Sequence, residues 1–263
     1  MTSHHILLEN LSIGYSTGND AAVIAENINE KVETGTLVCL IGPNGGGKST
    51  LFRTIGGLLK PLSGEVIING MAINKINPRK LGQYIGMVST KRLAVNSMTG
   101  YELVSMGRAP YTGFFGRLTQ KDKNIIDRAL IEVRADNLKD RKVSELSDGE
   151  RQKLMIAKTL AQDTPIIILD EPTAFLDYPS KVMVMRLLKR LCSEHKKIIF
   201  ISTHDLDIAF ALTDYLWIID KNIGFCTGTV DSLGSNGTID QYFQATGMKY
   251  CAATRSFVIN DIE

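Results

Sequence analysis

Gly42-Pro43-Asn44-Gly45-Gly46-Gly47-Lys48-Ser49-Thr50 has the form G-x-x-x-x-G-K-[ST], whose chemistry is that of a phosphate cradle. Its glycines let backbone N–H groups turn inward around an anion, Lys48 supplies a point charge for terminal phosphates, and the Ser49 hydroxyl suits Mg²⁺. Upstream, Leu37-Val38-Cys39-Leu40-Ile41 reads as a buried strand; downstream, Leu51, Ile55 and Leu58-Leu59 recur at helical spacing. Strand, loop and helix in this order are the context the motif needs, and the helix dipole adds to the cradle. A glycine-rich turn before a capped helix is the plain structural alternative.

The 263 residues are long for one compact domain and short for two full ones, so one core with an inserted or appended subdomain is expected. With 44% hydrophobic and 22% charged residues, the composition is that of an ordinary soluble globular chain. A net charge of +2 favours neither nucleic acid nor an anionic membrane surface as main partner, since both usually leave a concentrated basic stripe. The densest basic stretch, Lys181 to Lys197, puts Val182, Met185, Leu188 and Leu191 on one helical face and leaves Lys181, Arg186, Lys189 and Arg190 as a solvated one. Cys39, Cys192, Cys226 and Cys251 form no C-x-x-C pair, which indicates neither a disulfide framework nor a zinc site and fits a reducing compartment. The first residues contain no basic region leading into an apolar one, so no secretory signal is expected. No apolar run approaches the ~20 residues that cross a bilayer.

Along the chain, Ile6 to Ile13 alternates as a strand, and Gly14 to Asp20 reads as a turn-rich loop carrying Tyr15 at its tip, where a ring can stack on a purine. Taken alone, a tyrosine such as Tyr15 is more often a half-buried structural residue. A strand is expected at Ile28 to Val32, another at Glu65 to Gly70 closing on Asn-Gly, and a short one at Tyr84 to Val88. Residues 91–145 then look helical and strand-poor and are assigned to an inserted subdomain, with 1–90 and 146–263 forming the core. Within the insertion, the link Gly107 to Gly116 holds three aromatics, read as filling for a small core in preference to a protein-binding face. Thr119 and Asp122 match a capping box, and Ile125, Ile126, Ala129, Leu130 and Val133 make the apolar face of the following helix.

Leu146-Ser147-Asp148-Gly149-Glu150 precedes a helix with the apolar stripe Leu154, Ala157, Leu160 and Ala161. Ser147 and Glu150 fit S-x-x-E, an ordinary capping box; the sharper reading is a second helix N-terminus able to bind phosphate through Ser147 and the backbone at Gly149. Ile166 to Leu169 is a fully apolar strand for the middle of a parallel sheet, and it ends in Asp170-Glu171. Open α/β sheets place ligands at the carboxyl ends of their strands, and consecutive residues point differently, so one carboxylate can reach Mg²⁺ while the other faces a water. Ile198 to Ile201 is a second apolar strand, leaving His204 at the same edge. Strands near Tyr215–Ile219, Ile223–Cys226 and Ser256–Ile259 and a helix near Ile239–Ala245 complete an α/β fold with a largely parallel sheet and an antiparallel β portion at the start.

Tyr15, the cradle, Leu-Ser-Asp-Gly-Glu at 146–150, Ile-Ile-Ile-Leu-Asp-Glu-Pro at 166–172, Leu176-Asp177 and His204 occur in an order that resembles the ATP-binding subunit of an ABC transporter, a P-loop NTPase, from about residue 6 to 225. The resemblance implies roles residue by residue. Tyr15 stacks on adenine, Gly42 to Thr50 hold the phosphates of ATP, and Ser49 with Asp170 holds Mg²⁺. Glu171 is the general base for the attacking water, His204 contacts the γ-phosphate, and Asp177 belongs to a loop that communicates across a dimer. Ser147 and Gly149 meet the cradle only across two subunits, which implies a homodimer around two nucleotides.

Two departures stand out. The family usually has Leu-Ser-Gly-Gly-Gln, where this chain has Asp148 and Glu150, with Ser147 and Gly149 retained. Where family members place a glutamine that touches Mg²⁺ and the attacking water, this chain has Thr90, while Gln83 comes too early; altered coupling to the transporter is the implied consequence. The stretch from Glu102 to Tyr111 and Gly116 to Thr119 resembles the branch importing iron–siderophore complexes, haem or cobalamin. That implies two separate transmembrane permease subunits, a periplasmic or surface substrate-binding protein acting indirectly, and a peripheral position at the cytoplasmic face of the membrane. The rival readings are a soluble P-loop ATPase or small-molecule kinase, for which no acceptor region or lid is visible; an ABC protein of translation or DNA; and a low-turnover regulatory subunit, suggested only by Thr90.

Overall fold

The computed structural model describes residues 5–17, 20–88, 97–113, 115–221, 224–243 and 248–259. The chain runs through β1 (His5–Thr17), β2 (Asp20–Glu33), β3 (Leu37–Ile41), α1 (Lys48–Ile55), β4 (Ser63–Ile68), β5 (Met71–Ala72), α2 (Pro78–Tyr84) and β6 (Ile85–Val88). A strand-poor stretch follows with α3 (Gly100–Ser105), α4 (Gln120–Glu132) and α5 (Asp148–Ala161), joined by short 3-10 turns. Then come β7 (Ile166–Asp170), α6 (Tyr178–His195), β8 (Ile198–Ser202), α7 (Leu206–Leu212), β9 (Tyr215–Asp220), β10 (Gly224–Gly228), α8 (Val230–Ser235), α9 (Thr238–Phe243), β11 (Met248–Cys251) and β12 (Ser256–Ile259).

The apolar runs build a six-stranded sheet of order β10-β9-β3-β8-β7-β6, parallel except for the β9–β10 hairpin. Its inner strands are buried on both faces, which is why they lack polar alternation. Leu37, Cys39 and Ile41 of β3, Ile167 and Leu169 of β7 and Ile199 and Ile201 of β8 face a cluster shared with α5 and α6. Val38, Leu40, Ile166, Ile168, Ile198 and Phe200 face the other cluster, shared with α1 and the antiparallel strands. There Phe200 lies between Phe52 and Trp217, with ring centroids 6.4 and 5.2 Å away. Each such large side chain contributes about 1.5–3 kcal/mol by leaving water. A separate four-stranded sheet, β2-β1-β4-β5, is antiparallel.

Several expectations from the sequence need correction. Gly14 to Thr17 is strand, not loop: β1 continues to Thr17 and pairs with β2 through Tyr15–Ala22, with register shifts taking up the misfit between the strands. Tyr15 therefore sits on a strand. The basic face of α6 is not simply solvated. Lys181 bridges Asp205, Lys189 pairs with Asp214 and Arg190 with Glu132, while the buried face is Val184, Met185, Leu187, Leu188, Leu191 and Cys192. Nor do the aromatics of the 107–116 link fill a core. Tyr111 is 38% and Phe115 82% exposed, and Phe114 lies outside the described residues. The link is pinned instead by Arg108, 4% exposed, which donates to Asp122 (2.9 Å) and the Ala161 carbonyl (2.8 Å) and stacks under Tyr111. The last strand pairs with β11 in a two-stranded sheet of its own, and its Phe257 packs on Phe210 and Phe243. The four cysteines are free thiols, and burial pushes Cys192 up to about 12.

Candidate functional site

The loop between β3 and α1 turns on glycines with left-handed backbone: Gly42, Gly45 and Gly47 have φ of 154, 74 and 114°. At Gly47 a Cβ would also lie 2.3 Å from the Ile24 side chain, so only glycine fits there. Gly46 N–H closes the turn on the Pro43 carbonyl at 3.0 Å, and α1 starts at Lys48 with its amino end at the loop. The Lys48 ammonium donates to the Gly42 and Pro43 carbonyls at 2.8 and 3.2 Å. Burial lowers its pKa from the usual lysine range, and the nearby Glu171 and Asp170 carboxylates oppose that. Pro43 and Asn44 form the exposed rim. Tyr15 comes to the same place from β1, with its hydroxyl 3.0 Å from the Thr50 hydroxyl and the ring 42% exposed.

Two neighbouring parallel strands bring the acids to this loop. β7 and β8 pair in register up to Asp170–Ser202, so their carboxyl ends share one edge. Asp170, 2% exposed, is held at both oxygens: the Ser49 hydroxyl donates to Oδ2 and the Ser202 hydroxyl to Oδ1, each at 2.6 Å. Glu171 leaves the strand with φ of 51°, an uncommon left-handed conformation for glutamate, and its N–H donates to the Ser202 hydroxyl at 2.9 Å. Its carboxylate Oε1 lies 2.9 Å from His204 Nε2. Behind them Asp205 accepts from Lys181 (2.7 Å) and Thr173 (2.9 Å), tying the segment after β8 to α6 and to the segment after β7.

Ser147 and Gly149 lie in a different setting. Ser147 caps α5: its hydroxyl accepts from Glu150 N–H at 3.2 Å, while the Glu150 carboxylate accepts from Ser147 N–H at 2.9 Å. That N–H bond, together with the Ser147 hydroxyl and Arg141, holds the Glu150 carboxyl below its ordinary range. At Gly149 a Cβ would stand 3.0 Å from the Phe175 carbonyl, and Gln152 donates to the Pro172 carbonyl at 3.0 Å, so the start of α5 is fastened to the 172–177 loop. Asp177 caps α6, accepting from Ser180 N–H at 3.1 Å, and the Ser180 hydroxyl and then its N–H hold the Asp177 carboxyl below its ordinary range. Thr90 lies outside the described residues.

The structure thus brings together Tyr15, the 42–50 loop, Lys48, Ser49, Thr50, Asp170, Glu171 and His204, and it sets Ser147, Gly149 and Asp177 together on another surface. The sequence reading singles out neither Ser202, Asp205 nor Thr173, and it takes Lys181 only as part of a solvated helix face. Ser202 could have been found by noting a hydroxyl at the end of a strand expected to pair with the Asp170 strand. The Ser49 hydroxyl and the Asp170 carboxylate are oxygen donors of the kind Mg²⁺ takes when it keeps waters and substrate phosphates as its other ligands.

A family model described as ABC transporter matches residues 25–174. An uncharacterized ABC transporter ATP-binding protein of Methanocaldococcus jannaschii is 40% identical over 242 residues, 92% of this chain and 82% of that one. The iron(3+)-hydroxamate import ATP-binding protein of Bacillus subtilis is 35% identical over 236 residues, 90% of this chain and 86% of that one. Among solved structures, a dimeric post-hydrolysis ATP-binding cassette bound to ADP and phosphate superposes with a TM-score of 0.72 at 29% identity, covering 82% of this chain and 94% of that one. With the cradle, the acidic edge and the capped α5 in place, the chain belongs to the ABC transporter family, as one of its ATP-binding, ATP-hydrolysing cassettes.

Proposed function

We propose that this cassette drives uptake of an iron chelate, siderophore or haem, or of cobalamin, through separate permease subunits. The observation that carries the catalytic part is the unbroken run of hydrogen bonds Ser49–Asp170–Ser202–Glu171, continued by the Glu171–His204 contact, beside the glycine loop. Loop N–H groups and Lys48 hold the phosphates of ATP, and Tyr15 stacks on adenine. Ser49 and Asp170 hold Mg²⁺, which supplies positive charge to the phosphate oxygens when bound. Glu171 takes a proton from the attacking water, and His204 fixes the Glu171 carboxylate and reaches the γ-phosphate. Phosphoryl transfer of this kind is mostly positioning and charge stabilisation, and the built edge provides both.

Ser147, Gly149 and Asp177 act on a second copy of the chain. Their surface is exposed, Phe175 at 54% and Tyr178 at 66%, and the Ser147 and Asp177 side chains fix the starts of α5 and α6 by local caps, which suits presentation to a partner. The functional unit is a homodimer around two ATP, with residues 1–90 and 146–263 as nucleotide-binding core and 91–145 as helical subdomain. No helix among the described residues is long and apolar enough to cross a membrane, and two permease subunits with a periplasmic or surface binding protein complete the importer, the cassettes lying at its cytoplasmic face. The substrate class is supported by the iron(3+)-hydroxamate importer among the relatives.

Co-purification with a permease of the proposed importer class, followed by ATPase assay with chelate-loaded binding protein, tests the reading. Stimulation by an iron chelate, haem or cobalamin is expected, with phosphate released to water. ATPase activity indifferent to all of them overturns the substrate class, and phosphate delivered to an organic acceptor favours the kinase reading.

A further inference from the structure

The buried hydroxyl of Ser202 occupies a position none of the proposed catalytic groups explains. It is fully buried, at the end of β8, and makes two bonds at once: it donates to Asp170 Oδ1 at 2.6 Å and accepts from Glu171 N–H at 2.9 Å. A hydroxyl has one proton to donate and lone pairs to accept, so both bonds are made without competition. We infer that Ser202 is the positioning residue that orients both proposed catalytic acids, locking Asp170 for Mg²⁺ and the Glu171 backbone for base catalysis. This rests on the ATPase reading above.

Two consequences follow from the geometry. With Oδ1 taken by Ser202, the remaining oxygen, Oδ2, is the one that meets Ser49, so the carboxylate presents a single defined oxygen to the metal side. Glu171, in turn, needs its left-handed conformation to leave the strand and come within 2.9 Å of His204. Such a conformation persists only where neighbours over-determine it, and the Ser202 bond to its own N–H restrains that residue together with the Ala174 N–H bond to its carbonyl at 3.3 Å. Partners in the second layer of a metal site typically change metal affinity or activity 10–100-fold when removed.

The test compares wild type, Ser202→Ala and Ser202→Thr by two readouts. One is thermal stabilisation by a non-hydrolysable ATP analogue, titrated with Mg²⁺; the other is binding of a fluorescent ATP analogue in EDTA. For Ser202→Ala, the Mg²⁺ midpoint should move about 10–100-fold upward, with Mg²⁺-free binding unchanged and kcat falling more than KM rises. Ser202→Thr, which keeps the hydroxyl, should restore the midpoint. Should the alanine variant not fold, Ser202→Cys, of similar size with only a weak donor, takes its place. An unshifted Mg²⁺ midpoint, or equal losses with and without Mg²⁺, overturns the role of Ser202. A wild-type protein whose nucleotide stabilisation ignores Mg²⁺ overturns the ATPase reading itself, so the two failures are distinguishable.

Discussion

The edge at β7 and β8 and the surface at the start of α5 are both built from capped or hydrogen-bonded polar groups, yet they differ in where those bonds go. At the edge, side chains far apart in sequence bond to one another: Ser49 and Asp170 are 121 residues apart, Asp170 and Ser202 32. At α5, Ser147 bonds to Glu150 three residues on, and Asp177 to Ser180, also three on. The first arrangement needs the folded sheet to exist and is a nearly closed constellation within one chain. The second is built from local caps and leaves its outer face, Ser147, Phe175, Asp177 and Tyr178, exposed. On the proposed dimer, the chemically equipped cradle and the polar, locally capped surface form one site when a second copy brings them together.

The largest expected effect falls on the closed constellation. Glu171→Gln should lower kcat by about 10²–10⁴-fold while ATP still binds, and chromatography should show the ATP-loaded variant as a stable dimer; turnover at the wild-type rate removes Glu171 as base.

Next is the buried pair Arg108–Asp122, on which α4, the carboxyl end of α5 and the 107–113 link converge. Asp122→Asn leaves a buried guanidinium without its counter-charge and should cost about 3–5 kcal/mol in denaturant unfolding. The sign of its pH dependence is fixed by the Thr119 hydroxyl and N–H and then Arg108, which hold the Asp122 carboxyl below its ordinary range. With the folded pKa below the unfolded one, the contribution is complete above about pH 4 and is lost as pH falls through the folded value. The gap between wild type and Asp122→Asn should therefore close in acid; a gap constant down to pH 2 contradicts this origin.

Smaller effects separate binding from capping. Tyr15→Ala should weaken ATP by about 1–3 kcal/mol, the scale of base stacking on an aromatic. Tyr15→Phe, losing only the Thr50 bond, should cost about 0.5–1.5 kcal/mol. Equal losses in both place the value of Tyr15 in its hydroxyl. Ser147→Ala should cost about 0.5–2 kcal/mol of stability as a lost helix cap, measured by urea unfolding, and ATPase activity should fall further than that stability loss explains.

Much of the catalytic edge was legible because local chemistry writes it. The glycine loop with Lys48, the apolar strand ending in Asp170-Glu171 and the S-x-x-E cap are each confined to a few neighbouring residues. What escaped is tertiary. Ser202 looks like an ordinary strand residue until β8 pairs with β7, and the Asp205, Thr173 and Lys181 cluster joins elements whose spacing carries no period. Tyr15 was read in a loop because Gly14, Ser16 and Thr17 are common turn residues, whereas pairing with β2 decides their conformation. Arg108 was hidden in a link that reads as irregular, since burial of a guanidinium depends on a carboxylate supplied by α4.

On the proposed dimer, the cradle is half of a site. Lys48→Ala disables a cradle, and Ser147→Arg places a long cation on the exposed α5 start; each variant alone should lack hydrolysis. Mixed, a Ser147→Arg chain keeps a working cradle that faces the intact Ser147–Gly149 of a Lys48→Ala chain. Hydrolysis should return on mixing and rise with protein concentration as heterodimers form. A mixture as inactive as its separate components, under conditions where heterodimers are shown to form, contradicts it.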